Sequence, residues 1–188
     1  MSAQLEFVTT PLTGLLRIDR HSVSDHRGFL NRLFCAETLK QIGYEKTINQ
    51  INHTLTRKKG TVRGLHFQHP PHTETKIVTC VAGEVFDVAV DLRQDSATFL
   101  HWHAEILSAE NHRSLFIPDG FAHGFQTLTE DCQLIYFHSA PYTPAAENAL
   151  NVADPKLGIT WPLEISELSD RDRQHPFIDE QFSGVVLP

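Results

Sequence analysis

The segment from about residue 60 to residue 138 is a succession of short strand-like runs separated by Gly, Pro, Asn and Asp. The clearest run is Glu84–Leu92, in which apolar residues occupy every second position, the two-residue period of a half-buried strand. The other predicted strands are Ile77–Ala82, Ala104–Leu107, Arg113–Ile117, Gly124–Thr127 and Gln133–His138. They follow one another at spacings of about 8–12 residues, which predicts an all-β sandwich or barrel.

Helical signals are confined to the two ends of the chain. Ala36–Ile42 is a predicted short helix that Gly43 ends, and residues 164–173 offer a second one. Because strands and helices do not alternate, a doubly wound α/β fold is disfavoured. The length of 188 residues suits one domain. We expect a barrel core over about residues 45–140, flanked by an N-terminal strand segment and a C-terminal helical segment.

The overall charge excludes some classes of partner. A formal net charge of −7 and a pI of about 5.9 argue against nucleic acid, because phosphate backbones recruit basic surfaces. Within the basic run at residues 57–59, we expect Lys58 and Lys59 to be solvated.

Apolar runs such as Ile77–Ala82 are far shorter than the roughly 20 residues that cross a bilayer. With no secretory signal recognised, we expect a cytoplasmic protein without membrane contact.

The cysteines suit a reducing compartment. Cys35, Cys80 and Cys132 are odd in number and widely spaced, unlike a disulfide framework. Cys80 and Cys132 lie in apolar runs, so we expect them to be small buried hydrophobes without chemistry.

The sequence contains 12 histidines, which raises the question of a metal site. A metal-binding barrel of the cupin type often uses a His-x-His pair, a downstream Glu and a later His. The candidate set here is His66, His69, Glu74 and His123. The first two are one residue too far apart for that pattern, and Lys76 lies where a cation would be unfavourable, so we expect no metal. His101 and His103 have the spacing of one strand face, and we expect them on the surface of an outer strand.

A turn motif gives the first indication of the fold. Pro118, Gly120 and His123 form the Pro-x-Gly-x-x-His pattern of the second cupin motif, in which the turn directs the histidine into the barrel. Several further segments resemble the dTDP-4-dehydrorhamnose 3,5-epimerase family, in order and from about Asp25 to Asp172. They are Gly60–Gln68, Lys76, Gly83–Arg93, Leu107–Asn111, Ile117–Phe125 and Leu157–Pro162.

The resemblance implies a mostly β protein, a cupin-type double-stranded β-helix or jelly roll with short flanking helices. It also implies an isomerase that needs no cofactor, acts on a nucleotide-diphosphate keto sugar, and pairs as a homodimer. In such dimers a strand or the N-terminal segment of one chain completes the site of the other, which also covers exposed strand edges. The pathways implied are dTDP-rhamnose and polysaccharide biosynthesis.

Epimerisation beside a ketone needs a base for the C–H proton, a group that stabilises the enolate, and an acid on the opposite face. By resemblance, His66 is the base, and Asp172 is the carboxylate that orients it, with Asp170 a near alternative. Lys76 matches the residue facing the C4 carbonyl oxygen, and Tyr136 matches the proton donor. Without the resemblance, Lys76 could be a surface lysine and Tyr136 a strand aromatic.

Other positions match substrate contacts. Arg63 and Arg27 match the residues expected to hold the diphosphate, for which forked guanidinium donors are suited. The remaining predicted contacts are Arg32, Gln50, Asn52, His123, Tyr142, Glu147 and Arg171.

The chain departs from the family pattern near the expected nucleotide end. Leu30 replaces an aromatic residue and Arg32 replaces a glutamate, which exchanges a hydrogen-bond acceptor for a cation. A lysine usual after Tyr136 is absent, and the segment after Glu147 lacks the usual glycine and tryptophan. The nucleotide, the sugar and the number of inverted centres therefore stay open.

The leading hypothesis is an epimerase that inverts C3, C5 or both of a nucleotide-linked 4-keto-6-deoxyhexose. Alternatives are an enzyme that inverts one centre or uses a CDP- or GDP-linked sugar, and a metal-dependent cupin. A non-catalytic sugar-binding cupin is a further class. The combined presence of His66, Lys76, Tyr136 and Asp172 argues against that last class.

Overall fold

The computed structural model describes residues 4–187; the predicted domain also includes residues 1–3 and 188, which lie outside the described residues. One sheet has six strands, in the order β1 (Leu5–Thr9), β2 (Leu16–Arg20), β10 (Arg113–Ile117), β7 (Lys76–Ala82), β12 (Cys132–His138) and β5 (Gln50–Thr56). A second sheet has five, in the order β13 (Glu147–Ala149), β6 (Val62–Gln68), β11 (Phe121–Thr127), β8 (Glu84–Asp91) and β9 (Trp102–Ser108). A separate hairpin joins β3 (Val23–Asp25) to β4 (Gly28–Leu30).

The two sheets enclose a common core. Val78 and Leu134 of the six-stranded sheet pack in one cluster with Val85, Ala89 and Phe125 of the five-stranded sheet. Two antiparallel sheets that share one core form a jelly roll, so the predicted mostly β, cupin-type fold is confirmed.

Every predicted strand is present, most with a few added residues. The predicted N-terminal strand segment contains β1 and β2, whose bounds were not predicted and which extend the six-stranded sheet. β2 pairs with β10, about ninety residues later in the chain. Such a distant pairing leaves no local signal in the sequence.

β8 was predicted to bury one face, but both of its faces are buried. Val85 and Ala89 point into the shared core, whereas Val88 and Val90 lie in a second cluster on the outside of the sheet. The C-terminal segment covers that outer face with side chains such as Leu157. Asp87 lies two positions from both Val85 and Ala89, so it shares the inward face of β8, and its side chain is fully buried.

The helices are short. α1 (Ala36–Leu39) continues into a 3-10 turn at Lys40–Ile42, and Gly43 ends it with a φ of 77°, as predicted. The second predicted helix is shorter than residues 164–173, because α2 spans only Asp170–Gln174. Ser169 caps α2 by accepting a hydrogen bond from the backbone N–H of Asp172. Within residues 4–187, no helix is long and apolar enough to span a membrane.

The remaining side-chain predictions have mixed outcomes. Cys80 and Cys132 are buried in the core and Lys58 and Lys59 are exposed, as expected. His103 lies on β9, the outer strand of its sheet, but it is half-buried beside Glu105. His101 is exposed but precedes the strand, so the two histidines do not share a strand face as predicted.

Candidate active site

A cavity of about 240 Å³ opens between the two sheets. Side chains of β6 and β11 form one wall, and side chains of β5, β7 and β12 form the other. The predicted site residues on these walls are Gln50, Asn52, Arg63, His66, Lys76, His123, Tyr136, Tyr142 and Glu147. The chain therefore gathers most of the predicted side chains in one place.

His66 lies on β6, backed by a carboxylate from α2. Its Nε2 is 2.8 Å from Oδ1 of Asp172. Burial raises the pKa of Asp172, but the hydrogen bond and charge of His66 outweigh burial and hold that pKa below its ordinary value. The ionised carboxylate accepts the Nε2 proton, which leaves Nδ1 as the ring nitrogen that can take a proton. The carboxylate beside His66 is Asp172, whereas Asp170 is exposed on the first turn of α2.

A second histidine and aspartate lie on the adjacent strands. His123 of β11 is directly opposite His66 in the strand register, and its Nε2 is 2.8 Å from Oδ1 of Asp87. Burial raises the pKa of Asp87, although the charge and hydrogen bond of His123 act against it. The His123 ring also faces Tyr136 edge-on, with centroids 5.9 Å apart.

Lys76 is anchored on the opposite wall. Its Nζ is 3.0 Å from Oε1 of Glu74, and Oε2 of the same carboxylate is 2.7 Å from Nδ1 of His138. Burial raises the pKa of Glu74, but His138 and Lys76 together outweigh burial and lower it. A cation thus lies within the cavity wall, within 3.5 Å of the carbonyl oxygen of His66.

Tyr136 belongs to β12, in the sheet that faces His66. Burial raises its pKa, and the negative charge of Asp87 raises it further. The phenol therefore keeps its proton at neutral pH, as a proton donor must before it acts.

Hydrogen bonds hold the cavity rim. The Tyr142 hydroxyl donates to Glu147 at 2.6 Å, and Arg171 forms an ion pair with the same carboxylate. Gln50 accepts a hydrogen bond from the backbone N–H of Tyr142 at 3.0 Å and donates to Asn52 at 3.2 Å. These contacts link β5, β13 and α2 around the opening.

Arginines are distributed unevenly around the site. Arg63 is exposed and lines both the first cavity and a second one of about 610 Å³, which also contains His66, Arg171 and Asp172. Arg27 lies on the β3–β4 turn and forms an exposed ion pair with Asp25. Arg32 is exposed as well. Neither Arg27 nor Arg32 reaches these cavities in its own chain.

The donor set of the metal alternative does not converge. His66 is bound to Asp172, His123 to Asp87, and Glu74 to Lys76 and His138. His69 lies near Asn148, outside the cavity. Across residues 4–187, no group of three His, Cys, Asp or Glu side chains has the geometry of a metal site.

Three residues that contact predicted site residues were not predicted in that role. Asp87 binds His123, and Glu74 and His138 bind each other beside Lys76. The two-residue period of strands was a usable signal for His138, which follows Tyr136 by two positions on one predicted strand. Glu74 lies before β7, so this period gave no signal for it.

Comparisons with known proteins identify the family. The family model described as dTDP-4-dehydrorhamnose 3,5-epimerase matches residues 9–180. The protein of that name from Salmonella typhimurium is 41% identical over 175 residues, covering 92% of this chain and 95% of the relative.

Solved structures are similar over nearly the whole chain. The dTDP-6-deoxy-D-glucose-3,5-epimerase of Legionella pneumophila, in complex with dTDP-4-keto-L-rhamnose, aligns with a TM-score of 0.91 and 36% identity, covering 98% of this chain and 99% of that one. A 3′-monoepimerase from Streptomyces bikiniensis in complex with dTDP-quinovose aligns with a TM-score of 0.84 and 35% identity, covering 89% of this chain and 85% of that one. On the family match, the extent of the likeness and the shared fold, the chain belongs to the dTDP-4-dehydrorhamnose 3,5-epimerase family.

Proposed function

We propose that this isomerase inverts C3, C5 or both of a dTDP-linked 4-keto-6-deoxyhexose by proton transfer through an enolate. His66 is the base, Tyr136 the acid, and Lys76 the group that stabilises the enolate. The epimerase names and the dTDP-sugar complexes of the relatives support this substrate class.

The main support for the proposal is that the two proposed proton-transfer residues lie on opposite sheets. His66 comes from one sheet and Tyr136 from the other, and both line the same cavity. A sugar ring held between the sheets meets the imidazole on one face and the phenol on the other. This arrangement suits inversion at carbon, because one proton leaves from one face to the base and a different proton arrives on the opposite face from the acid.

The proton and electron balance then follows. Nδ1 of His66 takes the proton from carbon, and the electron pair of the C–H bond moves toward the C4 carbonyl to form an enolate. The Lys76 ammonium stabilises the oxygen that gains charge, an effect that is strong in a buried site. Tyr136 then donates its proton to the opposite face of the same carbon. Asp172 stabilises the imidazolium of the intermediate state.

The second cavity supports a position for the nucleotide diphosphate. It adjoins His66 and carries Arg63 and Arg171, whose guanidinium groups suit phosphate oxygens. Glu147, Tyr142, Gln50, Asn52 and His123 are the proposed remaining substrate contacts.

A single-centre epimerase is the second candidate. The similarity to the 3′-monoepimerase from Streptomyces bikiniensis supports it.

We also propose a homodimer in which the β3–β4 hairpin and the residues just after it in one copy bring Arg27 and Arg32 to the cavity of the other. Two observations support it. Both arginines lie outside the cavities of their own chain, and the hairpin exposes Phe29 and Leu30, each 64% exposed. The cytoplasmic location stays a prediction from the sequence.

The test of the proposed function is proton exchange. The enzyme is incubated with dTDP-4-keto-6-deoxyglucose in deuterated water, and NMR follows deuterium at C3 and C5. We expect incorporation at both carbons by the wild type and none by His66→Ala. Incorporation at one carbon only would identify the single-centre epimerase, and none at either carbon would overturn the proposed substrate.

Tyr136→Phe separates the two proton transfers. The variant keeps His66, so we expect deuterium to enter the substrate with its configuration retained. Inverted product should fall roughly 100-fold or more, since a positioned acid contributes at least that much. Equal loss of exchange and inversion would contradict the role of Tyr136 as the acid.

A further inference from the structure

Lys76 belongs to a buried cluster of three charged or titratable side chains. The exposed fractions are 9% for Lys76 and 8% for Glu74, and 11% for His138. Each oxygen of the carboxylate has its own partner: Nζ of Lys76 at 3.0 Å and Nδ1 of His138 at 2.7 Å. Glu74 therefore connects a side chain of β7 to one of β12.

The strand pairing explains why these groups meet. Lys76 and His138 are register partners on adjacent antiparallel strands, and Glu74 lies just before β7. His138 also stacks on Tyr136, with ring centroids 6.0 Å apart and an angle of 23°. Its Nε2 is 3.4 Å from Nδ2 of Asn52 on β5. The cluster thus links the proposed enolate-stabilising group to the proposed acid.

An unanchored lysine would be poorly suited to its proposed task. Its long side chain has many rotamers, so an ammonium that must meet one oxygen needs a fixed partner. Catalytic electrostatics depend on groups held in place before charge develops. Glu74 fixes the ammonium, and the hydrogen bond from His138 fixes the second oxygen of Glu74, so the carboxylate cannot rotate away from Lys76.

We propose that Glu74 and His138 are positioning residues that hold the Lys76 ammonium in place for the enolate oxygen. This inference rests on the proposed function and adds two side chains to it. Neither residue needs to touch the substrate, because both act through Lys76. Their loss therefore lowers kcat while changing KM little.

The choice of variants separates positioning from packing. Glu74→Gln keeps the shape of the side chain and removes its charge, so it weakens the anchor of Lys76. His138→Asn retains a donor where Nδ1 lies but loses the ring that stacks on Tyr136. His138→Phe retains the ring and loses the donor. If His138 acts through its hydrogen bond, the asparagine variant should be the more active of the two.

The experiment measures kcat and KM for dTDP-4-keto-6-deoxyglucose, with dTDP binding and thermal unfolding as controls of the folded state. We expect Glu74→Gln to lower kcat ~100-fold, the size of effect that a misplaced catalytic group produces, with dTDP affinity retained. His138→Phe should lose more kcat than His138→Asn. Wild-type activity in Glu74→Gln, or a phenylalanine variant at least as active as the asparagine variant, would overturn the positioning role.

Failure of the proposed function looks different. A wild-type enzyme that exchanges no proton at C3 or C5 would overturn the proposed substrate, and this inference with it. An active wild type with unaffected Glu74 and His138 variants would overturn this inference alone.

Discussion

The imidazole of His66 depends on the carboxylate behind it. A hydrogen bond of 2.8 Å to Asp172 keeps the proton on Nε2 and leaves Nδ1 for the proposed role of base. The backbone of Asp172 is itself fixed, because the Ser169 side chain accepts a hydrogen bond from the Asp172 N–H at 3.0 Å. The helix cap and the hydrogen bond to His66 therefore both involve Asp172.

Asp172→Asn tests this dependence. An asparagine can donate to Nε2 and so favour the wrong tautomer, which places the proton on Nδ1. We expect kcat for deuterium exchange to fall roughly a thousandfold or more, as in comparable histidine–aspartate pairs. Asp170→Asn is the matched control, since its side chain is exposed on the same turn of α2. A similar loss of kcat in both variants would mean that the effect comes from disturbing helix α2 and not from removing the carboxylate beside His66.

At the scale of elements, β6 and β11 approach each other unusually closely beside His66 and His123. A Cβ on Gly64 would lie 2.5 Å from Cα of Gly124, and a Cβ on Gly124 would lie 2.7 Å from the carbonyl oxygen of Arg63. Both obstacles are backbone atoms, which cannot rotate away. The two glycines therefore set the distance between the strands that carry the two histidines.

Gly64→Ala should separate these strands. We expect the free energy of unfolding to fall by about 1–3 kcal/mol or more, the cost of overpacking, together with a loss of activity. Gly28→Ala is the matched control, because Gly28 has a φ of 134° against 136° for Gly64 but no atom within 4 Å of its added Cβ. Denaturant unfolding of both variants measures the difference. Equal destabilisation would assign the effect to backbone conformation instead of the close approach.

The elements also show what sequence patterns can predict. Period-two alternation located β8, but it did not show that a C-terminal segment covers its outer face or that Asp87 points inward toward His123. Those facts depend on contacts between segments distant in the chain. The place of β1 and β2 in the sheet was not predicted for a related reason, because β2 pairs with the distant β10 and β1 pairs with β2.

Most of the candidate site could be predicted because short motifs carry it. The family resemblance named His66 and Asp172, which are 106 positions apart and meet only in the folded chain. Glu74 and His138 were not predicted as a pair, because the adjacency of β7 and β12 is not visible in the sequence. A role for Glu74 and His138 can be inferred only once the fold places them beside Lys76.

At the scale of the whole molecule, we propose that the chain forms one domain. The C-terminal segment packs Leu150, Val152 and Leu157 onto the five-stranded sheet, so it belongs to the same core structure as the barrel. The outer surface of the other sheet is less well covered. Ile51 is 60% exposed on β5, the edge strand, and Leu55 and Val81 are exposed with it. An apolar sheet face beside an open edge is suited to a second copy.

The proposed shared site can be tested by mixing two inactive variants. His66→Ala removes the base, and Arg27→Ala removes an arginine that the β3–β4 hairpin is proposed to supply to the partner. A mixed dimer then has one site with both defects and one with neither. Equal mixing and re-association should therefore restore about a quarter of wild-type activity.

Each variant alone is the control for that mixture. If every chain supplied its own Arg27, both sites of a mixed dimer would carry one defect, and no activity would return. Light scattering of the mixture verifies that the copies associate. Persistent inactivity of associated dimers would thus assign Arg27 to the site of its own chain, whereas full activity of Arg27→Ala alone would mean that Arg27 serves no site. Recovery of activity in the mixture would explain why Arg27, a predicted diphosphate contact, is exposed and lies outside the cavities of its own chain.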